Sequence, residues 1–345
     1  MILNNALTTT NNNHQLALEK SRDLFSITRK LLVNTPKSNS LINYPMTLIH
    51  SDTVVESVAI SSDGKYMISG SRDATIKLWD LPSGKEIQIF KGHKDCINSI
   101  AISHDSNRIV SASDDKTIKV WDLNSTKEIQ TFKGHKNRVT SVIFSYDRKF
   151  IISASDDKTI KLWDINTGKV IQTLKGNQSW IASIAITNDS RYVIDTTIKL
   201  WDLYSSKVIQ TFQGHKDWVT SIAIANNGKY IVSASGDETI KLWDLYNGKE
   251  IRIYKGHKDW ITCVTISGDS KYIISASGDK TIKLWDLYNG KEIGTLQGHQ
   301  DWVTSVAISP DNHYIVSSSE DKTIKIWKID CFCKDKEIMK NGLKI

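Results

Sequence analysis

Histidine, serine and aspartate together are the residue set of a nucleophilic hydrolase, and this chain of 345 residues presents that set repeatedly. His93, Ser111 and Asp115 recur at the same intervals as His135, Ser153 and Asp157, then as His215, Ser233 and Asp237. His257, Ser275 and Asp279 follow, and then His299, Ser317 and Asp321. Six residues after each Asp stands a tryptophan: Trp121, Trp163, Trp243, Trp285 and Trp327. A further set reads Ser69, Asp73 and Trp79, with His50 ahead of it. A catalytic site is needed once, so even repetition assigns these residues to structure. Burying one such indole removes about 150–250 Å² from water, worth roughly 4–6 kcal/mol gross.

The elements that position these residues follow from the period. Trp-Asp occurs at Trp79, Trp121, Trp163, Trp201, Trp243 and Trp285, and a seventh tryptophan, Trp327, precedes Lys328. Successive tryptophans lie 42 residues apart, except for 38 between Trp163 and Trp201. A period near 40 marks an array of like supersecondary units. Within one unit, VTSIAIA, KYIVSAS, TIKLWD and KEIRIYKG are separated by Asn-Asn-Gly, Gly236-Asp237 and Asn247-Gly248. Period-2 apolar alternation predicts four strands, and Asn, Asp and Gly predict the turns between them. Sheets that are apolar on both faces must stack, and radial stacking protects all of them.

On these residues the chain resembles the WD-repeat (WD40) β-propellers, over about 280 of its residues. The expected fold class is all-β, a seven-bladed propeller over 41–330 with a short N-terminal helical extension within 1–40 and a tail at 331–345. The resemblance implies a tetrad in each intact blade: Trp donates to Ser, Ser bonds His, and His bonds Asp. The fourth repeat, around 177–212, departs from this pattern. It reads RYVIDTTIKLWD where the fifth reads KYIVSASGDETIKLWD, so it lacks the equivalent of SASG with the tetrad Ser, and Asn177 replaces the His. Two members missing predict lost hydrogen bonds, shortened second and third strands and a blade weaker by roughly 1–4 kcal/mol. The deletion reads as tolerated decay.

Four tryptophans stand outside the tetrads. Trp180, Trp218, Trp260 and Trp302 each follow the His position by three, where the earlier repeats have Thr53, Cys96 and Arg138. In the resembled family this position, the one two residues later and the residue before the tetrad Asp line a peptide-binding face. The later position gives Asn98, Thr140, Ala182, Thr220, Thr262 and Thr304. The residue before the Asp gives Arg72, Asp114, Asp156, Gly236, Gly278 and Glu320. An aromatic arc facing an acidic sector at Asp114 and Asp156 would suit a segment with apolar and basic side chains.

Net charge is +7, but residues 1–40 carry five basic and two acidic side chains, and residues 328–345 carry five and three. The propeller itself keeps +2, spread around the ring, which is not the one-sided basic footprint of a nucleic-acid binder. No cofactor, metal site, nucleic-acid partner or membrane span is expected. Cys96, Cys263, Cys331 and Cys333 form no zinc spacing or staple framework, and free thiols with no evident signal peptide predict a cytoplasmic, monomeric propeller. Residues 14–33 place Leu24, Ile27 and Leu31 at helical spacing, with Pro36 beyond. The last blade needs an outer strand, from YPMTLI at 44–49 or from Lys336-Glu337-Ile338; family resemblance favours the former. The expected function is a non-catalytic scaffold or adaptor for a protein or peptide. The alternatives are the sensory portion of a larger signalling ATPase or kinase, and a propeller enzyme with a unique acid, His or metal cluster.

Overall fold

In the computed structural model, residues 47–177 and 179–329 are described. Among them are twenty-eight strands, numbered in chain order, and no helix. The expected helix within 14–33 and the tail from 331 lie outside the described residues, so the helical extension has no support from the structure.

The fifth blade shows how a repeat folds. Its strands β18 (Val219–Ile224), β19 (Tyr230–Ser235), β20 (Thr239–Asp244) and β21 (Glu250–Lys255) pair antiparallel in sequence order. Gly228 and Gly248 turn the chain at φ +66° and +71°, and Glu238 takes φ +63° in the turn between β19 and β20. After Tyr230, every residue of β19 is buried, whereas β21 is mostly exposed. The sheet therefore runs from a covered interior to a solvated rim.

Seven such four-stranded sheets form, one per repeat. Seven apolar clusters each straddle one joint between neighbours. Ile194, Ile198 and Leu200 of the fourth blade, for example, pack with Ile222, Ile231 and Trp243 of the fifth. Each tetrad indole thus fills the joint with the preceding blade.

The two ends of the ring meet in the seventh sheet. Its order is β1 (Thr47–His50), β28 (Thr323–Lys328), β27 (Tyr314–Ser319) and β26 (Val303–Ile308). Ile49 stands opposite Ile324 in this antiparallel pair. The N-terminal segment supplies the closing strand, as the resemblance implied.

The fourth blade is cut back at one end. Its strands are β14 (Ile184–Ile186), β15 (Tyr192–Asp195), β16 (Lys199–Asp202) and β17 (Lys207–Thr211). Val193 pairs Trp201 just as Ile231 pairs Trp243, but the two residue pairs beyond Ile194–Leu200 are absent. Removing four residues takes two from each arm of the hairpin, an even number. Side chains keep their faces because strand alternation has a period of two. The first strand shortens too, having lost its partner.

Candidate functional site

The polar sets form as expected in five blades. Trp121, Trp163, Trp243, Trp285 and Trp327 donate Nε1–H to Ser111, Ser153, Ser233, Ser275 and Ser317 at 2.8–2.9 Å. Histidine Nε2 lies 2.7–2.8 Å from the same Ser Oγ. Nδ1 lies 2.8–2.9 Å from Asp115, Asp157, Asp237, Asp279 or Asp321. A carboxylate only accepts, so Nδ1 carries the proton and Nε2 receives the serine O–H. The proton order of Ser, His and Asp is that of a hydrolase triad. Yet all five serines are fully buried, and each Oγ accepts an indole N–H. No substrate carbonyl reaches such an oxygen, so these sets lock strands together.

The carboxylates hold more than histidine. Asp237 also accepts from the Lys216 and Thr239 amides at 2.9 and 3.0 Å. Burial works to raise its carboxyl, but bonds from Thr239, Lys216 and His215 prevail and hold it at about 2. Burial likewise opposes, without overcoming, the bonds that keep Asp115, Asp157, Asp279 and Asp321 below the ordinary carboxylate range. Burial depresses His135, His215 and His299 despite their Asp partners.

The first and fourth blades differ from expectation. Trp79 still donates to Ser69 at 2.9 Å, but His50 is an exposed residue of β1, paired with Thr323. The reason is spacing: intact sets separate His and Ser by 18 residues, and His50 precedes Ser69 by 19. The same slip puts Val54, not Thr53, in line with the exposed tryptophans, and makes Glu56 the residue two further on. In the fourth blade the predicted loss of hydrogen bonds is smaller than expected: the three side-chain links of an intact set become two, and the tryptophan keeps its acceptor. Asp195 pairs Ile184 as Ser233 pairs Ile222. From that position it accepts from Trp201 Nε1 at 2.7 Å, Asn177 Nδ2 at 3.2 Å, the Thr197 amide at 2.7 Å and the Thr197 hydroxyl. One carboxylate thus replaces both the tetrad Ser and the tetrad Asp. Its cost is electrostatic, because burial pushes the Asp195 carboxyl up against the four hydrogen bonds that lower it.

The remaining tryptophans come together. Trp180 and Trp218 meet edge to face with centroids 5.1 Å apart, Trp218 and Trp260 at 6.1 Å, and Trp260 and Trp302 at 6.5 Å. All four stay 36–56% exposed. Asp217, Asp259 and Asp301 cap the following Trp amide at 2.7–2.9 Å, which fixes each loop. A Cβ on Gly236 would lie 3.2 Å from Trp260, and one on Gly278 would lie 2.9 Å from Trp302. A side chain there would crowd the ring, so glycine lets each ring lie close on the preceding blade's turn.

The polar groups on the other half of this face bond one another. Arg72 bonds both Glu56 and Glu320, Arg138 bonds Asp156, and Asn98 donates to Asp114 at 2.7 Å. Asp156 is thus paired with an arginine, whereas Asp114 is held by a neutral amide and keeps its charge. Thr140, Thr220, Thr262 and Thr304 also have work within the ring: each hydroxyl donates to a carbonyl of the next blade. Ala182 lacks that hydroxyl. Where other blades carry tryptophan, Cys96 has its thiol pushed up to about 12 by burial and by Glu56 and Asp114.

Among the described residues, no group of three or more His, Cys, Asp or Glu side chains is placed to hold a metal ion. No helix there is long and apolar enough to cross a membrane.

Fold and tetrads together define a closed seven-bladed β-propeller of polar-locked repeats. The family model "WD domain, G-beta repeat" matches seven segments: 44–80, 84–122, 126–164, 168–202, 206–244, 248–286 and 290–328. The chain belongs to the WD-repeat family. It is similar to the small ribosomal subunit protein RACK1 of Drosophila melanogaster, 38% identical over 69 residues, covering 20% of this chain and 21% of the relative. It is similar also to the general transcriptional corepressor TUP1 of Saccharomyces cerevisiae, 38% identical over 47 residues, covering 14% and 7%. The U3 small nucleolar RNA-interacting protein 2 of Homo sapiens is 43% identical over 49 residues, covering 14% and 10%. The chain thus spans about a fifth or less of the length of these relatives.

Proposed function

We propose that this chain is a non-catalytic interaction platform that holds a protein or peptide partner on the face carrying Trp180, Trp218, Trp260 and Trp302. The observation that carries this reading is the unbroken file of four half-exposed indoles, three of them held by an Asp-capped loop. Large aromatic rings left in water are disfavoured unless covered, and clustered tryptophans supply much of the binding energy at interfaces. The rings also rest on Gly236 and Gly278, which gives them a second, packing role. That role accounts for their undersides and leaves their exposed faces unexplained. Chemistry at the tetrads is ruled out by their burial, and the small charge of the propeller favours a protein partner over nucleic acid.

Replacing Trp218, Trp260 and Trp302 by Ala together tests the reading. Affinity capture with wild type and the triple variant as baits should lose the partner, while the melting temperature moves by only a few degrees. Retained capture with a large loss of stability would show that the rings only seal the blades.

A further inference from the structure

The two missing residue pairs of the fourth blade are missing from its end on the tryptophan face. At the next joint, Trp260 lies on the Gly236 turn of the fifth blade. The fourth blade has no such turn beneath Trp218, because its hairpin reverses early, through Thr196 and Thr197, with the Ile198 amide bonding the Asp195 carbonyl at 2.8 Å. The space left is a cavity of about 330 Å³, walled by Trp180 and Trp218, floored by Thr196, Thr197 and Ile198, with Asp217 at its side.

Its chemistry is specific. The Thr196 hydroxyl already accepts from the Ala182 amide, and the Thr197 hydroxyl already bonds Asp195 and Asn177. The charged group that remains open is the exposed Asp217 carboxylate, near Gln213: one oxygen caps the Trp218 amide, and among the described residues it forms no ion pair. Two indoles and an uncompensated carboxylate around one cavity favour a cation with an apolar stem, which gains ring attraction and charge pairing together. Arginine fits best, since its planar guanidinium stacks on indole while its fork reaches a carboxylate.

We propose that the fourth-blade deletion created a pocket for a basic side chain, arginine before lysine, of the partner segment bound on this face. The deletion then serves binding, against the expectation of decay. The inference rests on the reading that the tryptophan face binds a partner.

A restoration separates the two ideas. Inserting Ser-Ala-Ser-Gly between Ile194 and Asp195 rebuilds the hairpin of the intact repeats, refills the cavity and leaves Trp260 and Trp302 in place. The probes are N-acetyl-arginine amide and its neutral isostere N-acetyl-citrulline amide, followed at millimolar concentration through the indole N–H resonances of Trp180 and Trp218. The arginine probe should shift both resonances in the wild type, and citrulline should bind about tenfold more weakly. The insertion variant, with an unchanged or raised melting temperature, should lose the response, and so should the well-folded Asp217→Asn. Equal binding of the two probes, binding of neither, or undiminished binding by both variants overturns the pocket. In that event, loss of partner capture by the triple Trp variant would still uphold the broader reading, and retained capture would sink both.

Discussion

Each tetrad serine works as an adaptor between an indole N–H, which must be accepted, and a neutral imidazole nitrogen, which must be given a proton. The hydroxyl is the one small side chain that does both, and a satisfied buried chain of this kind fixes strand positions. Trp243 shows its worth, being 1% exposed and anchored to Ser233 at 2.8 Å. Trp243→Ala should cost about 3–5 kcal/mol, measured by denaturant unfolding, whereas Trp218→Ala, at a ring 56% exposed, should cost less than about 1 kcal/mol. Equal costs would mean that the two tryptophan sets are not divided into core and face. That division was legible in the sequence, because the repeat places every core tryptophan six residues after an Asp and every surface one three after the His position. His50 was misleading because a histidine of the right type sits out of line: it ends β1, paired with Thr323 as Lys255 is with Thr239, whereas the tetrad histidines lie in the loop beyond the outer strand. The internal pairing of Arg138 with Asp156 was not legible, since side-chain direction in a loop is not set by spacing.

Among the blades, the fourth answers to pH with its own sign. Asp195 is buried with its carboxyl held above the ordinary value. As pH rises from about 3.9 through that higher value, the unfolded chain releases a proton that the folded blade retains, so stability falls. The fifth blade behaves oppositely. Burial depresses His215, so its contribution is complete above about pH 6.5 and is lost as pH falls below that. Asp237, at about 2, adds a loss that begins below about pH 3.9. Hydrogen exchange near neutrality and near about pH 5, corrected for intrinsic rates, should therefore show acid slowing the exchange of β15 and β16 and hastening that of β19 and β20. The same direction in both would refute the assignment of the two roles to Asp195. The missing four residues were plain in the sequence, but the merged carboxylate was not. Aligned from its left, Asp195 takes the place of Ser233, and aligned from its right that of Asp237; only the strand register shows that it fills both.

A ring has no terminal unit, so the joint made by the chain's own two ends bears on all seven blades. An open array frays from its last repeats, because stability there is a sum of nearest-neighbour contacts. Closure removes those ends at the expense of one non-local pairing, between β1 and β28, across most of the sequence. Behind that pairing, Ile49 packs with Val316, Ile324 and Ile326 of the seventh blade and with Trp79 and Leu81 of the first. Ile49→Ala should cost about 2–5 kcal/mol, as a large-to-small change in a core. Ile87→Ala, on an outer strand where the side chain is 45% exposed, is the matched control and should cost less than about 1 kcal/mol. A chain starting at Ser51 loses all of β1 and leaves the β28 edge unpaired. Its melting should drop by more than that of Ile49→Ala, and its light scattering should rise with concentration as open edges pair between molecules. Were the shortened chain to melt as the full one does and remain monodisperse, the last blade would have to be closed by another segment, and the N-terminal strand would be an ornament on a ring that stands without it.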